Sequence, residues 1–344
     1  MSDAPELITL DQAQTPLVFG VDVGGTGIKI GLVDDRGRTL GWQRIETLAE
    51  QGPDAAVARI QGALEKVARE AGVEDDDILA IGLATPGTMD IPAGMFLNPV
   101  NLPGWQNYPI RDKVAEASGK PVAFVNDANA AAYGEYWVGS AADYKSMVLL
   151  TLGTGVGGGI IIREFNVEGE HSHGSELGHT IIDYNDTARV CSCEQRGHLE
   201  AYASATAVEK RACEALEAGA ASSLQVRVAA GKELTALMIH EEAEKGDELS
   251  LQIIMDTAMY LGIGITTFMH TIDPDAIILG GAMTFGGHDN AIGRRFLARI
   301  KEEIHKRAFP IPAEKTLVDF ASIGSFAGYI GAAGIARLMM KQQR

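Results

Sequence analysis

Asp127 has the surroundings that most invite chemistry. It follows the stretch Val122-Ala123-Phe124-Val125-Asn126 and opens the stretch Ala128-Asn129-Ala130-Ala131-Ala132. The first stretch is a short apolar run with β-branched and aromatic residues, which predicts a buried strand. The second is alanine-rich and predicts the start of a helix. Asx residues at such a join cap helices well, so a plain N-cap is one reading of Asp127. Its place in the chain supports a second. A carboxylate at a strand end, between two glycine-rich turns and ahead of a cluster of acids, His and Cys, is placed to accept a hydroxyl proton.

The first glycine turn is Gly24-Gly25-Thr26-Gly27, between a strand over 17–23 and another over 28–33. Closely spaced amides in such a turn can cradle phosphate. Asp22 is placed to hold a metal-bound water, and Lys29 to pair with a charge. An ordinary tight hairpin is the alternative. The stretch has no Walker A pattern, and a strand rather than a helix follows it, so it is no dinucleotide fingerprint. The second turn follows a strand over 147–152 and is expected to run from Gly153 through Thr154 and Gly155 to Gly159, with a strand over 160–162 after it. Laid on the first, it puts Thr151 on Asp22 and Gly153 on Gly24. Strand, glycine turn and strand, met once before and once after Asp127, predict a duplicated architecture suited to one polyphosphate. Gly280-Gly281, after the apolar run Ala276-Ile277-Ile278-Leu279, is a third place where backbone can approach a ligand.

His179, Cys191, Cys193 and His198 lie within 20 residues of one another and make a tetrahedral Cys2His2 set suited to zinc. With four protein donors such a site is structural, and it would brace the loop that carries Glu176 and Glu200. A free C-x-C loop with incidental His is the alternative. His171 and His173 read as surface residues.

These residues need elements to position them. The 344-residue chain is 46% apolar, enough for two domains or one large α/β unit. No run of about 18 apolar residues occurs, and the N-terminus lacks a basic and apolar leader, so no membrane span or signal peptide is expected and the cytoplasm is the default. A formal charge of −17 argues against nucleic acid or an anionic membrane as the main partner. Residues 1–15 read as a loose polar leader, too short for a helix-turn-helix domain. Helices are expected over 53–72, 110–118, most of 201–270, 289–307 and 325–340, and strands over 78–83 and 317–320. Gly231, Gly246 and Gly262 are expected to mark breaks or close packing. Residues 92–109 read as an irregular loop, either a pocket lining that ends on Trp105 or a surface crossover.

With these residues in view, the sequence resembles the ROK family and its sugar kinases. The matching motifs are Asp22-Val-Gly-Gly-Thr26, Thr85-Pro-Gly87, Asn101-Leu-Pro-Gly-Trp105, Asn126-Asp-Ala-Asn-Ala130, Leu152-Gly-Thr-Gly155, Glu176-x-Gly-His179 and the cysteine loop through Glu200. They span nearly the whole chain, from about residue 17 to 340. The resemblance implies an actin-like (ribonuclease H-like) fold of two α/β domains: residues 16–127 completed by a C-terminal helix over 325–344, and 128–324 with the loop 179–198 inserted. It implies ATP, Mg²⁺ and a structural zinc. It implies a hexose substrate, glucose first, with fructose, N-acetylmannosamine or allose as alternatives, or a non-catalytic sugar-responsive regulator. It implies Asp127 as general base, and sugar contacts at Gly87, Asn101, Asn126, Glu176, His179 and Glu200. The phosphates fall to Gly24, Gly25, Thr26, Gly153, Thr154 and Gly155, the adenosine to Gly280 and Gly281. A homodimer or homotetramer is implied as well. The sequence departs from the family pattern where Ser175 and Glu194 stand in place of usual glycines and His198 in place of a usual cysteine. Val100 also replaces the usual proline before Asn101.

Overall fold

The computed structural model describes residues 4–99 and 102–342. Its strands are β1 (Leu17–Val23), β2 (Gly27–Val33), β3 (Thr39–Glu46), β4 (Ile78–Thr85), β5 (Thr88–Asp90), β6 (Met95–Asn98), β7 (Val122–Asn126), β8 (Ser146–Leu152), β9 (Val156–Ile162), β10 (Phe165–Asn166), β11 (Ala276–Gly280) and β12 (Leu317–Phe320). Its helices are α1 (Pro53–Ala71), α2 (Ile110–Ser118), α3 (Asp127–Val138), α4 (Glu200–Ala203), α5 (Ala205–Glu217), α6 (Leu224–Ala229), α7 (Ala236–Glu244), α8 (Glu248–Ile272), α9 (Ala291–Arg307), α10 (Pro310–Lys315) and α11 (Ala327–Gln342).

Two five-stranded sheets share one strand order, β3-β2-β1-β4-β7 and β10-β9-β8-β11-β12. In the first, β1 runs antiparallel to β2 and parallel to β4, which is parallel to β7. In the second, β11 lies parallel to both β8 and β12. This mixed α/β arrangement, built twice, is the two-domain actin-like (ribonuclease H-like) ATPase fold.

The described residues of Met1–Tyr144, Gly159–Ser175 and Ser322–Arg344 form one compact unit. Its sheet is covered on both faces, which is why β4 is apolar almost end to end. Phe19, Ile28, Ile30 and Ile81 meet Ile60, Leu64 and Val67 of α1 on one side. Val18, Val33 and Ala80 meet Tyr329, Ile330 and Ala333 of α11 on the other. Helix α11 can lie this close because Gly20 and Gly82 have no side chain: a Cβ on either would fall 1.8 Å from a carbonyl oxygen of the helix. From the sequence this unit is expected to end at residue 127. In the structure α3 and residues 159–175 are part of it, since α3 packs against α11 closely enough that Gly331 faces the Ala130 carbonyl.

Residues 7–14, expected to be loose, are tied down. The Ile8 amide donates to Thr39 O at 2.9 Å, and the Gln14 amide to the buried Asp34 carboxylate at 3.1 Å. Residues 92–109 also differ from expectation. They contain β6, which pairs with β5, and Trp105 is fully buried, edge-on to Phe96 and donating to Ala49 O at 3.1 Å. Trp105 is therefore a core residue.

Lys145–Gly158 and Glu176–Ala321 form the second unit. Helix α8 is its spine, burying Ile253, Ile254, Leu261, Ile265 and Phe268. Gly262 lets Glu303 of α9 approach, as a Cβ there would sit 2.6 Å from the Glu303 Cβ. Among the described residues α8 is the one helix long and apolar enough to cross a membrane, and 56% of its apolar window is buried inside the protein, as in a core helix.

Candidate functional site

Strands β1, β4 and β7 are parallel, so their carboxyl ends share one edge of the first sheet. Asp22 pairs in register with Ala84, Ala84 with Val125, and Thr85 with Asn126. The edge therefore carries Asp22, then Thr85-Pro86-Gly87, then Asn126-Asp127. Ligands of open α/β sheets bind beyond such carboxyl ends.

The join at Asp127 is strand-to-helix, as expected, with the capping role on its neighbour. Asn126 is the N-cap, its Oδ1 accepting the amides of Ala128 at 2.9 Å and Asn129 at 3.4 Å. Asp127 is the first helical residue and half-buried, and its Oδ1 accepts the Ala128 amide at 2.8 Å. Gly87 has φ +88°, and a Cβ on it would lie 2.8 Å from Pro99 Cα, so both conformation and space require glycine. Asn101 lies outside the described residues.

The first glycine turn is closed by the Gly24 amide donating to Gly27 O at 2.9 Å. Among the described residues the amides of Gly25 and Thr26 have no protein acceptor. Two adjacent free amides make a small anion-binding concavity. Thr47 holds the turn from beneath: its hydroxyl donates to Gly24 O at 2.6 Å and its amide to Thr26 O at 3.3 Å. Sequence reading missed Thr47, because nothing local links it to a turn 21 residues away. Asp22 sits against Gly328 of α11 and 3.8 Å from the Lys29 ammonium. Burial pushes its carboxyl above the ordinary range, and Lys29 pulls it partway back. The Lys29 ammonium also donates to Ser325 O at 2.7 Å.

The second turn is shorter than expected. It is closed by the Gly153 amide donating to Gly155 O at 3.0 Å, and β9 begins at Val156. Gly157, Gly158 and Gly159 are strand residues, since packing overrides their low strand preference. A Cβ on Gly158 would lie 2.5 Å from Leu177, and one on Gly159 2.4 Å from Ala132. The Thr154 and Gly155 amides have no protein acceptor among the described residues, as at the first turn. Thr206 donates to Thr154 O at 3.0 Å, and the Ala205 amide to Gly153 O at 2.8 Å. Thr151, the counterpart of Asp22, pairs with Gly280. The Met283 amide donates to Leu152 O at 3.0 Å, which brings Gly280-Gly281 beside this turn.

Glu200 joins the second turn to the cysteine loop. Its Oε2 accepts the Val156 amide at 3.0 Å, and its Oε1 accepts the Ser192 hydroxyl at 2.5 Å and the Cys191 thiol at 3.4 Å. Glu176 is exposed, just before the 3-10 turn Leu177–His179. His171 and His173 are exposed as well.

The four expected metal donors converge. The Nδ1 atoms of His179 and His198 are 3.3 Å apart, Cys191 Sγ is 3.7 Å from His179 Nδ1, and Cys193 Sγ is 3.2 Å from His198 Nδ1. All four donor atoms lie within 4.8 Å of one another. Bonds of about 2.0–2.3 Å to a tetrahedral zinc place donors about 3.3–3.8 Å apart. The spacing and chemistry of this set thus fit the ion. Burial, then the neighbouring His179, hold the His198 imidazole below its usual range, toward the neutral form that a metal needs.

Three comparisons bear on this arrangement. A family model described as the ROK family matches residues 18–338. A glucokinase of Halalkalibacterium halodurans is 33% identical over 319 residues, spanning 92% of this chain and 94% of its own. A xylose repressor of Caldicellulosiruptor bescii is 29% identical over 85% of this chain and 71% of its own. The crystal structure of a ROK family glucokinase from Streptomyces griseus, in complex with glucose and AMPPNP, matches with a TM-score of 0.73 at 30% identity, over 94% of this chain and 99% of that one.

Proposed function

The chain belongs to the ROK family, and from that premise we propose that it transfers the terminal phosphoryl group of ATP to a hexose, with glucose as the first substrate and its 6-hydroxyl as the acceptor. The observation that carries this reading is the division of roles at the end of β7. Asn126 caps α3, and the next residue, Asp127, places a half-buried carboxylate on the edge that also holds the first glycine turn.

In this reading Asp127 accepts the hydroxyl proton as the sugar oxygen attacks the phosphoryl group in line. Phosphoryl transfer asks the protein mainly for positioning and charge stabilisation. The amides of Gly25, Thr26, Thr154 and Gly155, which have no protein acceptor among the described residues, supply fixed donors for phosphate oxygens. Mg²⁺, which neutralises phosphate charge when bound, would be held through water by Asp22. Gly280 and Gly281 flank the adenosine.

The sugar hydroxyls fall to the Gly87 backbone, Asn126, Glu176, His179 and Glu200. Asn126 spends its carbonyl oxygen on the cap, which leaves its NH2 group to donate. His179 turns Nδ1 to the metal donors, which leaves Nε2. A site that pairs each hydroxyl rejects sugars that leave a buried group unpaired. His179, Cys191, Cys193 and His198 would hold a structural zinc, with no open coordination position for chemistry.

The test is ADP release from Mg-ATP with glucose, fructose, mannose, N-acetylmannosamine and N-acetylglucosamine offered separately. Turnover confined largely to glucose supports the full reading, and turnover on another sugar moves the specificity. The repressor relative favours one second reading, a sugar-responsive regulator. Sugar binding with no turnover on any sugar would select it.

A further inference from the structure

Lys29 is the cation closest in sequence to the first glycine turn, yet its ammonium is committed to Ser325 O and Asp22. One strand over, in register with Lys29, stands Arg44 of β3. Its guanidinium lies across Gly27. A Cβ on Gly27 would fall 2.8 Å from Nε, 3.1 Å from Nη2 and 3.4 Å from Cζ, so the missing side chain makes the slot that the guanidinium occupies. Gly27 is also the residue whose carbonyl closes the turn. The Arg44 charge thus rests against the loop whose Gly25 and Thr26 amides lack acceptors. Arg44 is exposed, and among the described residues it makes no hydrogen bond or ion pair. That is notable in a chain with 46 acidic residues against 29 lysines and arginines, where an arginine has carboxylates to choose from.

We propose that Arg44 is the side-chain ligand of the nucleotide's terminal phosphate at the first turn, completing a site whose other donors are the Gly25 and Thr26 amides. Lys29 instead anchors Asp22 and the start of the C-terminal segment. The proposal rests on the kinase reading and adds a residue to it. A planar guanidinium offers parallel N–H donors to two phosphate oxygens, which an ammonium does not.

The test is calorimetric titration of the full chain and of Arg44→Ala and Arg44→Lys with Mg-AMPPNP, Mg-ADP and glucose, each alone. Arg44→Ala is expected to weaken AMPPNP binding about tenfold or more, the loss of a charge-assisted hydrogen bond. ADP, without the terminal phosphate, should lose less, and glucose binding should not change. Arg44→Lys should recover part of the loss. Gly27→Ala, which displaces the guanidinium, should copy Arg44→Ala in part, with thermal unfolding confirming that the variant folds. AMPPNP affinity within twofold of the parent in Arg44→Ala overturns the proposal and leaves the kinase reading intact. Equal weakening of AMPPNP and glucose overturns it too, as that marks a structural role. A parent chain that binds glucose and no nucleotide overturns both.

Discussion

Asn126 and Asp127 are adjacent acceptors at one helix start, and Asn126 is the cap: its side chain takes the Ala128 and Asn129 amides, while Asp127 stands one position inside the helix. The two residues should therefore separate in mutation. Asn126→Ala should cost about 1 kcal/mol of stability, the usual loss for an N-cap. Asp127→Ala, which gives up a second hold on the Ala128 amide and a first-turn charge worth about 0.3–1 kcal/mol through the helix dipole, should cost less. Denaturant unfolding of the two variants checks the order, and a larger loss for Asp127→Ala would contradict it.

Gly155 and Gly153 give a paired test of the second turn. A Cβ on Gly155 would lie 2.4 Å from Glu200 Oε2, whereas one on Gly153 meets nothing within 4 Å. Gly155→Ala should push the carboxylate off the Val156 amide and cost about 1–3 kcal/mol, the penalty for an unsatisfied buried group. Gly153→Ala should stay within about 0.5 kcal/mol of the parent. Thermal unfolding reads both, and equal losses would mean that Glu200 is not the constraint.

The donor geometry at the cysteine loop predicts about one zinc per chain, held by two thiolates and two imidazoles. Elemental analysis of the purified protein should find it. Cys191→Ser and His198→Ala should each lose it, and a strong chelator should lower the unfolding temperature. A chain that takes up no zinc from a zinc-supplemented buffer, with its thiols reduced, would contradict the assignment.

Ser175 and Glu194, which replace glycines usual in the family motifs, both adopt the left-handed backbone, at φ +66° and +69°. A non-glycine residue there costs energy that glycine does not. Glu194→Gly should stabilise the chain by up to about 1 kcal/mol, set against the entropy that glycine returns to the unfolded chain, and Ser175→Gly should gain less because it also loses the hydroxyl's bond to Val167 O at 2.9 Å. A drop in unfolding temperature for both would contradict the strain argument.

The two hairpins, the join at Asp127 and the four metal donors were legible in the sequence because each is local: turn glycines between apolar runs, or donors within 20 residues. What escaped depends on distant partners. Gly157, Gly158 and Gly159 look like turn residues until Leu177 and Ala132 are seen against the last two of them. Trp105 looks like a pocket aromatic until Phe96 and Ala49 enclose it. Thr47 and Arg44 belong to the third strand and its end, whose mixed Gly41-Trp42-Gln43-Arg44 pattern gives no strong period. Their places beside the first turn follow from strand pairing and from contacts with Gly24, Thr26 and Gly27. Nothing near Asp34 in sequence shows that it pins the leader through the Gln14 amide.

In the proposed function Asp127 takes the proton from a sugar hydroxyl as ATP gives up its terminal phosphoryl group. The most direct measurement is sugar-phosphate formation from Mg-ATP and glucose by the parent chain and Asp127→Ala, side by side, with glucose affinity measured on both. Turnover by the parent is expected, with a fall of about 10²–10⁴-fold or more in kcat for the variant, as for loss of a general base, and glucose binding largely retained. Near-normal kcat in a folded Asp127→Ala would contradict it.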